Sequence, residues 1–204
     1  MTSFRKALLA ATAVSLVAAV PGAALAQDAT ATTEQETERD RLFELFEESD
    51  ARSLELEPLS RLFRGDDTNA DRLGDYLTDS SFYASRLDTQ LNLALLAQID
   101  RSKLPPTDQL AYDVFKYQQE TALRGQSDEI RALTEVRPIN HFRGFHTFYP
   151  NFASGNGAAQ FETIANYEDN LSRHDDYIAI SDRAIERSRE GMENGVLETK
   201  LTIG

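Results

Sequence analysis

Apolar residues recur at helical spacing along most of the chain, which predicts a series of amphipathic helices. Between Glu38 and Asp50 the apolar residues fall on one side of a helix and the charged residues take the other side. Pro58 and Gly65 interrupt the next segment, which is therefore predicted to contain a turn. No stretch alternates apolar and polar residues as a strand would, so the pattern predicts an all-α chain. The apolar residues of the first helix are Leu42, Phe43, Leu45 and Phe46.

Two further helices are predicted before the middle of the chain. The first runs from about Ser81 to Ile99, where a Pro-Pro pair soon follows and ends the unit. Thr107 is predicted to cap the amino-terminal end of the second helix, and Gly125 its carboxyl-terminal end. The apolar positions of the two helices are Phe82, Leu87, Leu91, Leu95 and Ile99, and then Leu110, Ala111, Val114, Phe115 and Ala122.

The last helical pattern begins near Phe161 and ends near Gly195, and it predicts one long helix or two consecutive ones. The residues after Gly195 begin a new extended or loop segment that has no closing element. We therefore expect the domain to be truncated at its carboxyl-terminal end. The apolar positions of this pattern are Phe161, Ile164, Tyr167, Leu171, Ile178, Ile185 and Met192.

An aromatic segment, Arg137 to Gln160, separates the last helix from the others and predicts a long irregular loop. It contains four phenylalanines, one tyrosine, two prolines and three glycines. It also contains two of the three histidines of the chain, His141 and His146. Such a mixture of helix breakers and aromatic rings is unusual for a solvated loop, so the segment is the first place to look for a functional site.

The beginning of the chain is typical of a secretory signal peptide. Arg5 and Lys6 precede an apolar run, and the small residues of Ala24-Leu25-Ala26 suit signal peptidase. An uncleaved anchor is the alternative, but the run is shorter than the ~20 residues that span a bilayer. We predict a signal peptide over 1–26, a disordered linker over 27–37 and a helical domain over 38–204. The mature protein would be periplasmic or secreted and would have no stable membrane anchor.

Composition narrows the possible functions. The chain has 34 acidic and 21 basic residues and a formal charge of −13, and removal of Arg5 and Lys6 would make it more negative by two. Such a surface repels nucleic acid and anionic lipid, so no nucleic-acid partner is expected. The absence of cysteine excludes disulfide bonds, thiolate metal sites and cysteine nucleophiles.

The histidines do not form a zinc motif. A zinc peptidase presents two histidines one helical turn apart with a glutamate between them. His141 and His146 are instead five residues apart with Gly144 between them, and His174 lies alone in the last helical pattern. Ser154 lacks the preceding glycine of a serine-hydrolase elbow. The sequence therefore predicts no catalytic and no metal-binding residue, and we expect this chain alone to be inactive.

Four stretches resemble the bacterial domain-of-unknown-function family 885. They read RLFELFEESDARSLELEPL, DQLAYDVFKYQQETAL, PINHFRGFHTFYPNFASGNGAAQF and NYEDNLSRHDDYIAISDRAIERSREGMENGV. The last of them contains a D-Y-E-x-x-L-x-R-like motif and a glycine pair, Gly191 and Gly195. The resemblance extends over essentially the whole predicted mature chain.

The resemblance implies that the chain is part of a larger helical, zincin-like fold. In that family an H-E-x-x-P-G-H-like motif supplies the metal site in a later half, which lies outside these residues. The chain would then be the amino-terminal helical portion of an exported zinc-metallopeptidase-like protein. Zinc is expected in the full-length protein and no cofactor in this chain, and the partner would be a peptide substrate.

Within that framework the aromatic segment would line or support the peptide cleft, because its prolines and glycines fix the backbone while its rings can pack on helices. Phe145, His146 and Tyr149 are the residues that we expect to face the substrate. The alternative is a non-catalytic periplasmic helical binding module. The sequence leaves the oligomeric state open.

Overall fold

The computed structural model describes residues 25–140, 142, 144–197 and 200, and it describes side chains from residue 38 onward. Every regular element in these residues is helical, which confirms the all-α prediction. None of the helices in this part of the chain is both long enough and apolar enough to cross a membrane. The α-helices are α1 (Leu25–Leu56), α2 (Leu59–Leu62), α3 (Asp79–Leu96), α4 (Pro106–Gly125), α5 (Asp128–Thr134), α6 (Phe145–Asn151) and α7 (Ile164–Glu193).

Two short turns of other helix types complete the list of elements. A 3-10 turn covers Arg101–Lys103, and a π-helical turn covers Phe152–Asn156. Most of the predicted signal peptide lies outside the described residues. Helix α1 includes the residues that composition predicted to be a linker, but side chains are described only from residue 38, so the domain boundary at that position stays a prediction.

One apolar cluster joins α1 to the hairpin that α3 and α4 form. Leu42 and Leu45 of α1 are buried one turn apart against Leu96 at the end of α3. Phe46 packs its ring on Phe115 of α4, with 4.9 Å between the ring centroids. The apolar face that the sequence predicted for residues 38–50 is therefore the face that packs. Ile99 and Leu104, in the connection between α3 and α4, complete this cluster.

The ends of α3 and α4 differ from the prediction. Helix α4 begins at Pro106, which suits the first helical position because proline has no N–H to leave unpaired, so Thr107 lies inside the first turn and is not the cap. Gly125 is the last helical residue, and Gln126 follows it as the C-cap. Helix α3 starts earlier than predicted because the Thr78 side chain accepts the N–H of Ser81 at 3.0 Å.

A second cluster lies between α2, the segment that follows it, the aromatic segment and α7. Leu59 and Leu73 pack there against Phe152 and Ile180. The last helical pattern forms one continuous helix, α7, which begins with a capping box between Thr163 and Asn166. The other members of the cluster are Leu62, Ala70, Tyr149 and Ala159.

The aromatic segment is more ordered than the predicted loop, because it contains α6 and the π-helical turn. Pro150 lies inside α6, where it cannot donate to the carbonyl one turn earlier. The chain then widens into the π-helical turn, in which Gly155 adopts a φ of +79°. Sequence pattern could not predict these turns, since proline and glycine there indicate interruption and not the geometry of the interruption.

The two glycines at the end of α7 are each required for a different structural reason. A Cβ atom on Gly191 would lie 2.8 Å from the carbonyl oxygen of Val136, so the backbones approach too closely for any side chain. Gly195 adopts a φ of +74°, which ends the helix in the left-handed region that favours glycine. The prediction that the helix ends near Gly195 is confirmed.

Candidate functional site

An apolar groove opens between α2, the start of α6 and the residues that precede α3. It has a volume of about 350 Å³, and we call it the aromatic groove. Its size falls within the range of roughly 300–1,000 Å³ that is usual for ligand sites, and its lining is almost wholly apolar. The lining residues are Leu59, Phe63, Tyr76, Leu77, Pro138, Gly144, Phe145 and Phe148.

Stacked and tilted rings form the wall of the aromatic groove. Phe145 lies 5.0 Å from Tyr76 and 6.2 Å from Phe148, measured between ring centroids. Phe148 in turn stacks on the buried ring of Phe152 at 5.2 Å. Since these distances suit favourable pairs of aromatic rings, the groove wall is anchored in the second cluster and is not a set of free side chains.

The backbone at Gly144 sets the direction in which α6 leaves the groove. Gly144 has a φ of +142° and precedes the first residue of α6. A Cβ atom at this position would lie 2.7 Å from Nδ1 of His146, so a side chain here would displace the histidine ring. Glycine is therefore required both by the backbone conformation and by the available space.

The structure does not bring the three predicted site residues onto one surface. Phe145 is half-buried and lines the aromatic groove, whereas His146 is exposed on the next position of α6. Tyr149 is buried in the second cluster and stacks on Tyr177, with 4.2 Å between ring centroids and 8° between ring planes. Their role toward a substrate stays a prediction, and the geometry favours Phe145 for it.

Tyr149 has an unusual environment for a tyrosine. Its hydroxyl group is buried and has no hydrogen-bond partner within the described part of the chain. Burial raises the pKa of Tyr149 because the apolar surroundings disfavour the charged phenolate. The ring of His174 meets it edge-on at 5.6 Å, while His174 Nδ1 lies 2.7 Å from the carbonyl oxygen of Asn170. Packing contacts therefore explain the positions of both the Tyr149 and the His174 side chains.

Two further cavities adjoin the residues that link α2 to α3. One, of about 240 Å³, lies between these linking residues and α7. The other, of about 380 Å³, lies between them and the end of α1 together with the start of α3. Tyr76 lines both cavities and also the aromatic groove. Tyr76 could not be identified from the sequence, because the stretch around it shows no helical pattern and no motif.

Arg173 is a second residue that the sequence analysis missed. It belongs to the D-Y-E-x-x-L-x-R-like motif and is 1% exposed. Its guanidinium donates a hydrogen bond to the carbonyl oxygen of Ala70 and lies over the ring of Phe152. Its Nε atom has no partner among the described residues, and burial lowers the pKa of Arg173. The motif arginine therefore holds the segment before α3 against the second cluster.

The residues present do not fit a zinc ion. Within the described residues, no three His, Cys, Asp or Glu side chains converge as metal ligands would, and His141 lies outside that part of the chain. Acidic residues that the sequence left unexplained have structural partners. Asp176 accepts the N–H of Leu73 at 2.7 Å, and hydrogen bonds from Thr68 lower the pKa of Asp66 to about 2. We therefore derive no catalytic step through a metal in this chain.

Comparison with known proteins gives one match. A family model described as "Bacterial protein of unknown function (DUF885)" matches residues 58–204. The match includes every residue of the aromatic groove and both members of the Arg173–Phe152 contact, whereas the whole of α1 precedes it. Neither a curated protein nor a solved structure matches the chain.

Proposed function

The chain belongs to the DUF885 family, and on that premise we propose that it is the amino-terminal helical portion of an exported zinc-metallopeptidase-like protein. In this proposal the chain supplies walls of the peptide cleft, and the zinc ligands come from outside the described residues. Export would follow from the signal peptide predicted over residues 1–26. The observation that carries the proposal is the aromatic groove.

The aromatic groove suits one large apolar side chain of a bound peptide. Phe63, Phe145 and Phe148 supply aromatic surface, and the phenol of Tyr76 supplies a polar group beside them. Burial of a leucine or phenylalanine side chain in such a site stabilises the complex by about 1.5–3 kcal/mol before the cost of association is counted. The groove can therefore select a peptide by one side chain while the reaction occurs elsewhere.

Exposed apolar rows on two helices also support a place in a larger structure. On α7 five apolar residues recur every seven positions and are all 48% exposed or more, and we call them the outer row. Such spacing keeps a row on one face of a helix and is typical of contact with another helix. Leu110, Val114 and Tyr117 form a similar exposed row on α4. The outer row consists of Ile164, Leu171, Ile178, Ile185 and Met192.

The test uses the full-length product of the gene. We expect purified protein to contain zinc and to hydrolyse peptides that carry a large apolar residue. Phe145→Ala should raise KM for such peptides and leave the zinc content unchanged, because Phe145 lines the groove and is not a ligand. Phe43→Ala is the matched control, since this half-exposed ring packs on the other cluster.

Two outcomes would contradict the proposal. Zinc-free protein that binds peptides without cleaving them would support the alternative, a non-catalytic periplasmic binding module. Loss of zinc in the Phe145→Ala protein would instead place Phe145 in or beside the metal site. Neither outcome affects the assignment to the family.

A further inference from the structure

The three cavities described above adjoin one another around Tyr76, and we call them together the cleft. The aromatic groove and the 380 Å³ cavity share Tyr76 and Leu77, and this cavity shares Arg72, Gly74 and Asp75 with the cavity against α7. Tyr76 is half-buried, and its hydroxyl group forms no hydrogen bond with any described residue. A ligand that occupies both the groove and the neighbouring cavity would therefore contact this ring.

The backbone below the cleft is held in place before any ligand binds. The N–H of Leu73 donates to Asp176 at 2.7 Å, and Nε of Arg187 donates to the carbonyl oxygen of Leu77 at 3.0 Å. Leu77 adopts a φ of +66°, a conformation that is unfavourable for a residue with a side chain. Backbone strain of this kind persists only where surrounding contacts impose it, and it is frequent at binding sites.

The 380 Å³ cavity is lined by negative charges, whereas the aromatic groove is apolar. Glu55, Glu57 and Asp75 line it together with one cation, Arg72. Glu55 already pairs with Arg61, which lies outside the lining, whereas Glu57 and Asp75 form no ion pair within the part of the chain that the structure describes. Burial raises the pKa of Tyr76, and the negative charge of Glu57 raises that pKa further. A cation is therefore the complementary ligand group for this half of the cleft.

We propose that the cleft binds a peptide segment in which a lysine or arginine lies two positions from a large apolar residue. The apolar side chain occupies the aromatic groove, and the cation lies beside Glu57 and Asp75. Side chains two positions apart on an extended peptide point to the same face and are separated by about 6.6 Å, at about 3.3 Å per residue, so one short segment can fill both halves. The inference names the substrate class of the proposed function, and it rests on that function for the entry of a peptide.

The experiment measures binding of three fluorescein-labelled tetrapeptide amides to the full chain by fluorescence anisotropy. They differ only at the residue two positions before a phenylalanine, which is lysine, norleucine or glutamate. We expect the lysine peptide to bind about tenfold more tightly than the norleucine peptide, the glutamate peptide to bind weakest, and the preference to shrink as salt increases. Equal affinity for the lysine and norleucine peptides, or no binding of either, would overturn the proposal.

Matched variants assign the preference to the cleft. Glu57→Gln combined with Asp75→Asn should reduce the lysine preference to less than twofold and leave the affinity for the norleucine peptide unchanged. Glu47→Gln is the control, because this exposed carboxylate lies on α1 outside the cleft and has no ion pair among the described residues. An unaltered lysine preference in the double variant would refute the site, and so would an equal loss in the control.

Binding and hydrolysis are measured separately, so failure of this inference can be distinguished from failure of the proposed function. A lysine preference that depends on Glu57 in a protein without hydrolytic activity would keep this inference and end the proposed function. Hydrolysis without any lysine preference would keep the proposed function and overturn this inference.

Discussion

The guanidinium carbon of Arg173 lies 5.2 Å from the centre of the Phe152 ring, and this contact joins α7 to the π-helical turn. The same guanidinium binds the carbonyl oxygen of Ala70, so one buried cation holds three separate segments together. A cation over an aromatic ring contributes about 2 kcal/mol when it is removed from water. Arg173 is thus the structural centre of the motif in which it occurs.

Replacement of Arg173 should destabilise the protein strongly. Arg173→Ala leaves a void beside Phe152, and it also removes the hydrogen-bond donor of the Ala70 carbonyl oxygen. We therefore expect the free energy of unfolding to fall by about 2–4 kcal/mol. Arg189→Ala is the control, because Arg189 is exposed on the same helix and has no ion pair in the described residues. That control should change stability by less than about 0.5 kcal/mol in urea denaturation. Equal effects of the two changes would contradict the role of Arg173.

Two glycines at helix ends should respond to alanine in opposite directions. Gly191→Ala places a methyl group 2.8 Å from the Val136 carbonyl oxygen, and we expect a loss of about 1–3 kcal/mol. Gly125 has nothing within 4 Å of a built Cβ, so Gly125→Ala should stabilise the protein by about 0.5–1 kcal/mol. Thermal denaturation of both variants measures the difference. A stable Gly191→Ala protein would show that the close backbone approach can relax.

The sequence predicted the helices well because their apolar spacing reports directly on which face packs. It failed at their ends, where the outcome depends on competition between neighbouring residues. Thr78, not Thr107, provides a side-chain cap, since Pro105 and Pro106 already set the backbone at the start of α4. The sequence also could not show that the apolar positions of α7 divide between two faces, with Ile180 buried and Ile178 exposed.

The candidate site was predictable only in part, for a related reason. Phe145 stood out because aromatic residues and glycines are concentrated in its segment, and it does line a groove. Tyr76 and Arg173 could not be identified, because the partner of each lies roughly 70–100 residues away in the chain. Tyr76 meets Phe145, and Arg173 meets Ala70. A single sequence contains no information that pairs such distant positions.

Tyr76 should give the protein a characteristic response to alkali. Burial, assisted by the charge of Glu57, raises the pKa of Tyr76 to about 12, above the usual value of 10.0. The folded state therefore favours the neutral phenol, and this contribution to stability is fully present below pH 10 and is lost as the pH rises toward 12. Tyr76→Phe should remove this loss of stability at high pH, whereas Tyr83→Phe, which changes an exposed ring, should not.

The measurement is urea denaturation at several pH values, together with the tyrosinate absorbance of each variant. The difference spectrum between the original protein and Tyr76→Phe should show one phenol that ionises near pH 12. Ionisation of that phenol near pH 10 would mean that the surroundings of Tyr76 do not stabilise its neutral form.

The outer row should control association of this chain without affecting its fold. Ile178 is 58% exposed, so Ile178→Glu should leave the melting temperature nearly unchanged and should reduce self-association, which exposed apolar rows promote. Ile180 is 4% exposed two positions away, and Ile180→Glu should unfold the protein because a buried carboxylate has no partner there. Sedimentation velocity at two concentrations and a thermal melt distinguish the two effects. Equal melting temperatures would contradict the division of α7 into two faces.

The two-sided character of α7 limits how its length can vary among relatives. Each residue added to or removed from an α-helix rotates everything beyond it by about 100° around the axis. One extra residue in the middle of α7 would turn the later part of the outer row, such as Ile185 and Met192, away from its face and would carry Ala184 and Gly191 out of the core. A change of seven or of eleven residues brings both faces back to within about 20° of register. Insertions and deletions in this helix should therefore be of about seven or eleven residues, and changes of one or two residues should be missing from the family.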